Sequence, residues 1–351
     1  MAAYKFSDIR KVHLEISSKC NASCSLCPRT AFGYPYNNGY TEHNMTVDEA
    51  RKIFPTSFIK QLGELLINGN FGDAVANPNT VPIVQYFREN NPDLNISIST
   101  NGGAQNTDFW TSLAKLGVEV YFSIDGLANT NHLYRQNTDF SHIMRNVRDF
   151  ISAGGTATWK WVKFKHNEHQ IEEAKHLAVE LGFRDFITVW DGRDTGPVFN
   201  RHGEQIYFLG NEKNHWLSTT TTIDEIIQSY NNKIDFRNVE YNIANTVDCE
   251  VMRDQSIYVS SIGDIYPCCY LGNQPRTFGK GTFMEVVNNQ ISNIMLENNA
   301  LEYDLEHCIR WFKNIVDSWN ISTCEEGRLL QCNQTCGGKK RTWEVNGVNA
   351  N

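Results

Sequence analysis

The stretch Cys20-Asn21-Ala22-Ser23-Cys24-Ser25-Leu26-Cys27 decides how this chain is read. It sets three thiols at C-x3-C-x2-C spacing directly behind a run, Val12 to Ile16, in which Val12, Leu14 and Ile16 alternate with polar residues as a β-strand does. Soft thiolates select zinc or iron-sulfur clusters. A structural zinc site takes four ligands, so three cysteines would call on a distant histidine such as His13 or His43. A cubane held by three cysteines instead leaves one iron open to a further ligand.

Outward from that loop, residues 11 to about 190 alternate strand-like and helix-like patterns. Strands are predicted at Glu64 to Ile67, Leu94 to Ser99, Val118 to Ile124, Thr158 to Phe164 and Phe186 to Val189. Between them, Thr46-Val47-Asp48-Glu49 is a capping box opening a helix that Pro55 breaks or kinks. Further helices fit residues 80 to 90, Asp108 to Leu116, Phe140 to Ile151 and His169 to Leu181, with Gly117, Gly154 and Gly182 behind the last three. Six strand-then-helix units in series predict an α/β fold with a parallel sheet and right-handed crossovers, curled into a partial (β/α)6 TIM-like barrel. The unusual residues all follow strand C-termini: the cysteines, Asn68 to Asp73, Thr100-Asn101-Gly102, Ser123 with Asp125, and Trp190-Asp191-Gly192-Arg193. Parallel barrels carry their active sites on that face.

The chain has 351 residues, a net charge of -8 and a pI near 5.7, which argues against general binding of nucleic acid or anionic membrane. Met1-Ala2-Ala3-Tyr4-Lys5-Phe6 lacks the apolar core of a signal peptide, and no window approaches eighteen apolar residues, so a cytoplasmic location is expected. Ten cysteines in two groups then favour metal binding over disulfides. Two domains are expected: a barrel at 8–205 and a smaller C-terminal α+β unit at 246–351, joined by a connector at 206–245. The second unit opens with a hairpin, Ile257-Tyr258-Val259 and Ile265-Tyr266 around Ser260 to Asp264.

The C-x3-C-x2-C loop behind a first barrel strand resembles the radical S-adenosylmethionine (SAM) superfamily. The resemblance implies that Cys20, Cys24 and Cys27 hold a [4Fe-4S] cluster whose open iron chelates SAM, and that reductive cleavage yields a 5'-deoxyadenosyl radical that abstracts a hydrogen atom. The Asn68 to Asp73 loop stands where the family usually has a Gly-Gly-Glu-Pro motif for the SAM amino group. Gly69 matches, the glutamate is absent, and Asn70 or Asp73 would have to substitute. By the same resemblance Thr100 and Asn101 contact the ribose, Ser123 and Asp125 reach SAM, Arg135 pairs with its carboxylate, and Leu26, Val189 and Trp190 pack on adenine.

Cys249-x13-Gly263-x4-Cys268 is similar to the opening of the auxiliary-cluster extension called SPASM, or its shortened form, twitch. With Cys332 and Cys336 it implies one auxiliary [4Fe-4S] cluster, leaving Cys269, Cys308 and Cys324 over. Sequence does not separate Cys268 from Cys269, the same four cysteines would suit zinc, and a cluster with an open iron stays possible if Cys332 or Cys336 is not a ligand. The implied function is a radical SAM enzyme, an oxidoreductase in the broad sense, that modifies a small molecule, nucleotide or short peptide by oxidation or bond formation and draws electrons from a flavodoxin or ferredoxin. His166, Asp191 and Arg193 are the rim candidates for catalysis or substrate binding. Only a few residues precede the first strand, which counts against the leader-binding class of peptide maturases. The contrasting readings are a SPASM-type peptide maturase and a non-catalytic zinc or iron-sulfur protein.

Overall fold

The computed structural model describes residues 5–36, 39–189, 196–209, 222–229, 247–273, 283–337 and 345–349. Six parallel strands carry the fold: β1 (Lys11–Leu14), β2 (Glu64–Ile67), β3 (Asn95–Thr100), β4 (Glu119–Ser123), β5 (Thr156–Val162) and β6 (Asp185–Val189). They lie side by side in chain order, as a partial (β/α)6 barrel requires.

The helices between them start and stop on local signals. Thr46 and Glu49 exchange both capping-box bonds at the head of α1 (Val47–Ile53), and Pro55 separates it from α2 (Thr56–Gln61). α3 (Thr80–Asn90) buries Ile83, Val84 and Phe87. Asn106 caps α4 (Thr107–Lys115), and Gly117 follows its end at φ +64°. α5 (Phe140–Ser152) buries Ile143, Met144, Val147 and Phe150 at helical spacing. α6 (Ile171–Leu181) ends on Gly182 at φ 83°, a conformation that glycine adopts without steric cost.

After β6 the described chain resumes as an antiparallel hairpin, β7 (Gly196–Phe199) with β8 (Gln205–Leu209). The second hairpin, β9 (Ser256–Val259) with β10 (Ile265–Tyr266), forms where expected, with Gly263 at φ 88° in its turn. It is not a separate sheet, because β9 pairs parallel with β1 along its free edge. A last strand, β11 (Val345–Asn349), pairs antiparallel with β6 at the other edge.

One hydrophobic core therefore runs from Ile9 to Cys332 through both parts of the chain. Trp110, Trp159, Phe122 and Phe150 are fully buried in it, each burial contributing roughly 2–3 kcal/mol. Among the described residues no helix is long and apolar enough to cross a membrane.

Candidate active site

The strand C-termini open onto one cavity of about 660 Å³. Its walls include Cys20, Cys24 and Cys27, the whole Asn68 to Asp73 loop, Thr100, Asn101, Ser123, Arg135 and Val189. Most of the residues singled out from sequence thus meet at one place.

The cysteine loop is held from several sides. Ala22 N–H and Asn101 Nδ2 donate to Cys20 Sγ at 3.4 and 3.6 Å, and Arg135 Nη1 donates to Cys24 Sγ at 3.8 Å. Burial pushes the Cys24 thiol up to about 11 against the pull of Arg135, and burial with nearby Asp73 raises Cys20 as well. A bound metal reverses this by displacing the thiol protons.

The donor chemistry fits a cluster with one open iron. Three thiols face the cavity, and neither a fourth cysteine nor a histidine lines it among the described residues. The zinc alternative loses its fourth ligand: His13 Nε2 donates to Asn68 O at 2.8 Å, and His43 pairs with Glu49 at 3.0 Å. Among the described residues no three His, Cys, Asp or Glu side chains are gathered tightly enough to hold one metal ion.

Several polar residues support the cavity instead of offering free atoms to it. Asp73 is buried and accepts from Thr100 Oγ1, Asn101 N and Asn101 Nδ2, each at 2.7 Å, and from Val75 N at 3.1 Å. Burial raises its pKa, and those donors oppose the rise. Asp125 lies behind the wall: its Oδ2 accepts from Arg135 Nε at 2.6 Å and its Oδ1 from Val162 N at 2.5 Å. Burial disfavours the Arg135 charge, yet Asp125 and the Cys24 sulfur hold its pKa well above the ordinary arginine value. Asn70 lines the cavity while its Nδ2 donates to the Cys269 carbonyl at 2.8 Å.

Two sequence candidates sit elsewhere. Leu26 does not line the cavity itself; it packs behind the wall, against the cluster of Ala22, Cys24, Tyr134 and Val162 and against that of Ala31, Phe32 and Phe199. His166 stacks on Phe164 with both ring nitrogens buried and unpartnered, and does not line the cavity. Burial and the neighbouring His169 and His132 lower its pKa to about 4. Trp190, Asp191 and Arg193, and most of the 206–245 connector, lie outside the described residues.

Sequence reasoning missed Glu15, Tyr121 and Lys160. The last two line the cavity from β4 and β5. Glu15 is 1% exposed behind it and accepts from Phe71 N, Gly72 N and the Tyr258 hydroxyl at 2.7, 2.9 and 2.5 Å. Its one sequence signal is a carboxylate amid the apolar run Val12 to Ile16.

The second group also comes together. Cys249, Cys268, Cys332 and Cys336 line one small cavity with Met252, Ile315 and Trp319, enclosing about 20 Å³. A hydrogen bond between Cys249 and Cys336 raises the first thiol and lowers the second, and burial pushes Cys332 up to about 12. Cys269, Cys308 and Cys324 are not on that wall, and Cys308 is fully buried in the helix Leu305–Ile309.

A family model described as the Radical SAM superfamily matches residues 14–209. The tungsten-containing aldehyde ferredoxin oxidoreductase cofactor-modifying protein of Pyrococcus furiosus is 20% identical over 337 residues, covering 92% of this chain and 88% of that protein. Streptococcus suis SuiB, solved with its precursor peptide SuiA, superposes with a TM-score of 0.54 at 15% identity, covering 92% of this chain and 70% of that one. SuiB solved alone gives 0.51 at 15% identity, over 92% and 72%. Both are likenesses of fold.

Proposed function

Because this chain belongs to the radical SAM superfamily, and so is an enzyme that binds SAM and a [4Fe-4S] cluster, we propose that Cys20, Cys24 and Cys27 hold that cluster and that SAM occupies the cavity beside them. The observation that carries this reading is the meeting of three thiols, with no fourth soft ligand among the described residues, on the wall of one large cavity. When bound, the cluster and SAM supply an electron and a 5'-deoxyadenosyl radical, with the electron drawn from a flavodoxin or ferredoxin.

The chain's own residues orient and exclude. Arg135, anchored by Asp125, offers the cavity its positive charge, while Asn101 and the Ala22 amide steady the Cys20 sulfur. Gly69, Asn70, Thr100, Asn101, Ser123 and Val189 are the positions we assign to SAM contact.

Cys249, Cys268, Cys332 and Cys336 form, in this reading, a twitch-type site for one auxiliary [4Fe-4S] cluster, in a C-terminal unit spanning about 246–351. The reaction class is oxidation or bond formation on a short peptide, small molecule or nucleotide. The fold likeness to SuiB, a protein solved with a precursor peptide, supports a peptide, and the cofactor-modifying relative supports a small molecule. One observation favours a second reading of the auxiliary site: 20 Å³ is nearer to the room taken by one water-sized particle than by a cubane, as a zinc site would be.

Anaerobic purification tests both. We expect a brown protein with about eight irons per chain that forms 5'-deoxyadenosine from SAM and dithionite. Cys24→Ala removes half the iron and all the cleavage, whereas Cys332→Ala removes the other half. A colourless zinc protein without SAM cleavage refutes the enzyme reading, and four irons plus one zinc selects the zinc reading of the second site.

A further inference from the structure

The hairpin that follows the barrel brings one polar side chain to the back of the cysteine loop. β7 and β8 pair in register except between Gln205 and Tyr207, where Ile206 is an extra residue on β8 and is 50% exposed. A bulge of this kind re-aims the side chains beside it. Tyr207 then stands opposite Val198 and shares a face of the hairpin with Leu209. All three pack in the buried cluster that contains Ala22, Cys24 and Tyr134. The hairpin is also fastened to the segment behind the cysteine loop, because Phe199 N donates to Phe32 O at 2.9 Å.

The Tyr207 hydroxyl is buried and has no hydrogen-bond partner. A hydroxyl taken out of water without a partner costs free energy, so its position points to an acceptor that belongs to the working state. Ala22, Val162, Phe164, Val198 and Leu209 around it carry no side-chain acceptor, whereas Cys24 carries a sulfur. Burial and then Cys24 raise the hydroxyl above the ordinary tyrosine value, so it keeps its proton and acts as a donor. Tyr207 is not on the cavity wall, so it approaches Cys24 from behind, away from the space assigned to SAM.

The sulfurs of the loop differ in what they receive. Cys20 Sγ accepts from the Ala22 amide and from Asn101 Nδ2, while Arg135 Nη1 stands 3.8 Å from Cys24 Sγ. A neutral thiol accepts weakly, and a thiolate bound to iron carries the charge that makes a strong acceptor. The bond from Tyr207 therefore belongs to the iron-loaded protein.

We propose that Tyr207 is a positioning residue for the first cluster, its hydroxyl donating to the Cys24 thiolate and so setting the cluster's reduction potential. This rests on the assignment of Cys20, Cys24 and Cys27 to that cluster. Hydrogen bonds to cluster sulfurs favour the reduced, more negative state and raise the potential. Tyr207 itself is neither oxidised nor deprotonated; it acts through Cys24.

The test is an anaerobic redox titration of iron-loaded protein followed by electron paramagnetic resonance. The signal that changes when SAM is added marks the first cluster, and its midpoint is then measured without SAM. Tyr207→Phe keeps the ring and loses the hydroxyl. It is expected to leave the iron content unchanged and to make the first cluster about tenfold harder to reduce, a midpoint lower by about 59 mV, with any signal from the second cysteine group unmoved. An unmoved midpoint overturns the proposal. An equal shift of both signals, which a general change in packing would give, overturns it as well.

A ring-fluorinated tyrosine introduced at position 207 keeps the shape and makes the hydroxyl a stronger donor, so it should move the midpoint upward. This reversal carries the test if Tyr207→Phe fails to fold or load iron, and a downward or absent shift overturns the proposal. Iron-loaded wild type without a SAM-sensitive signal refutes the cluster assignment itself, and that result is read before any variant is made.

Discussion

Replacing Asp125 by asparagine probes the brace behind the candidate SAM site. The Asp125 carboxylate has no exposed surface, and its Oδ2 meets Arg135 Nε at 2.6 Å while Oδ1 accepts the Val162 amide at 2.5 Å. Asparagine keeps an oxygen for Val162 but removes the charge opposite a guanidinium whose side chain is only 16% exposed. Breaking a buried pair from one side costs about 3–5 kcal/mol. Arg135 retains the Tyr134 ring at 5.1 Å and the Cys24 sulfur, which places the cost near the low end, about 3 kcal/mol. At about 2 °C per kcal/mol for a large domain, the melting temperature falls by about 6 °C. Anaerobic urea unfolding of the iron-loaded protein, followed by tryptophan fluorescence, measures the loss, and iron content is checked so that cluster loss is not mistaken for it. Adding Arg135→Met removes the stranded charge and should return part of the stability. A single variant that loses less than about 1 kcal/mol, or a double variant no better than the single, refutes the argument that the pair acts as a buried unit.

Gly72→Ala forces a methyl group into the Ser17 carbonyl, so it should cost about 1–3 kcal/mol in urea unfolding and weaken SAM; normal stability would show that the loop has room to spare. Cys268→Ser should remove about four irons and Cys269→Ser none, because only Cys268 lines the second cavity; the reverse would reassign the ligand. Burial lowers the His13 pKa to about 4 from 6.5, so the unfolded chain takes up the proton first. The stability this histidine contributes is complete above pH 6.5 and is lost as pH falls towards 4, at up to about 1.4 kcal/mol per pH unit. His13→Gln should flatten that part of the urea-unfolding pH profile, and an unchanged slope counts against the burial argument.

Legibility from sequence followed the range of the interactions. β1 to β6, α1 and α3 to α6 are readable because each carries an intact period or local punctuation, such as Thr46 with Glu49 ahead of α1 or Gly182 in its left-handed conformation behind α6. The C-x3-C-x2-C loop is readable because its ligand spacing is local too. Glu15 is not, for a reason tied to β1. Out of phase with Val12, Leu14 and Ile16, it reads as a solvated residue, yet its partners are a loop 56 and 57 residues away and a tyrosine 243 residues away. Nothing local announces that the distant strand Ser256–Val259 covers that edge. The same long-range pairing explains why the expected second unit does not form a sheet of its own. Val12 to Ile16 reads as one strand of a six-stranded sheet, and a six-stranded parallel sheet has an open edge at β1 that must be covered or paired. β9 pairs it in register, Val12 with Ile257 and Leu14 with Val259, and brings Tyr258 to Glu15 as a consequence. The two cysteine groups, far apart in sequence, are therefore placed by neighbouring strands of one sheet, with Glu15 and Tyr258 at the join.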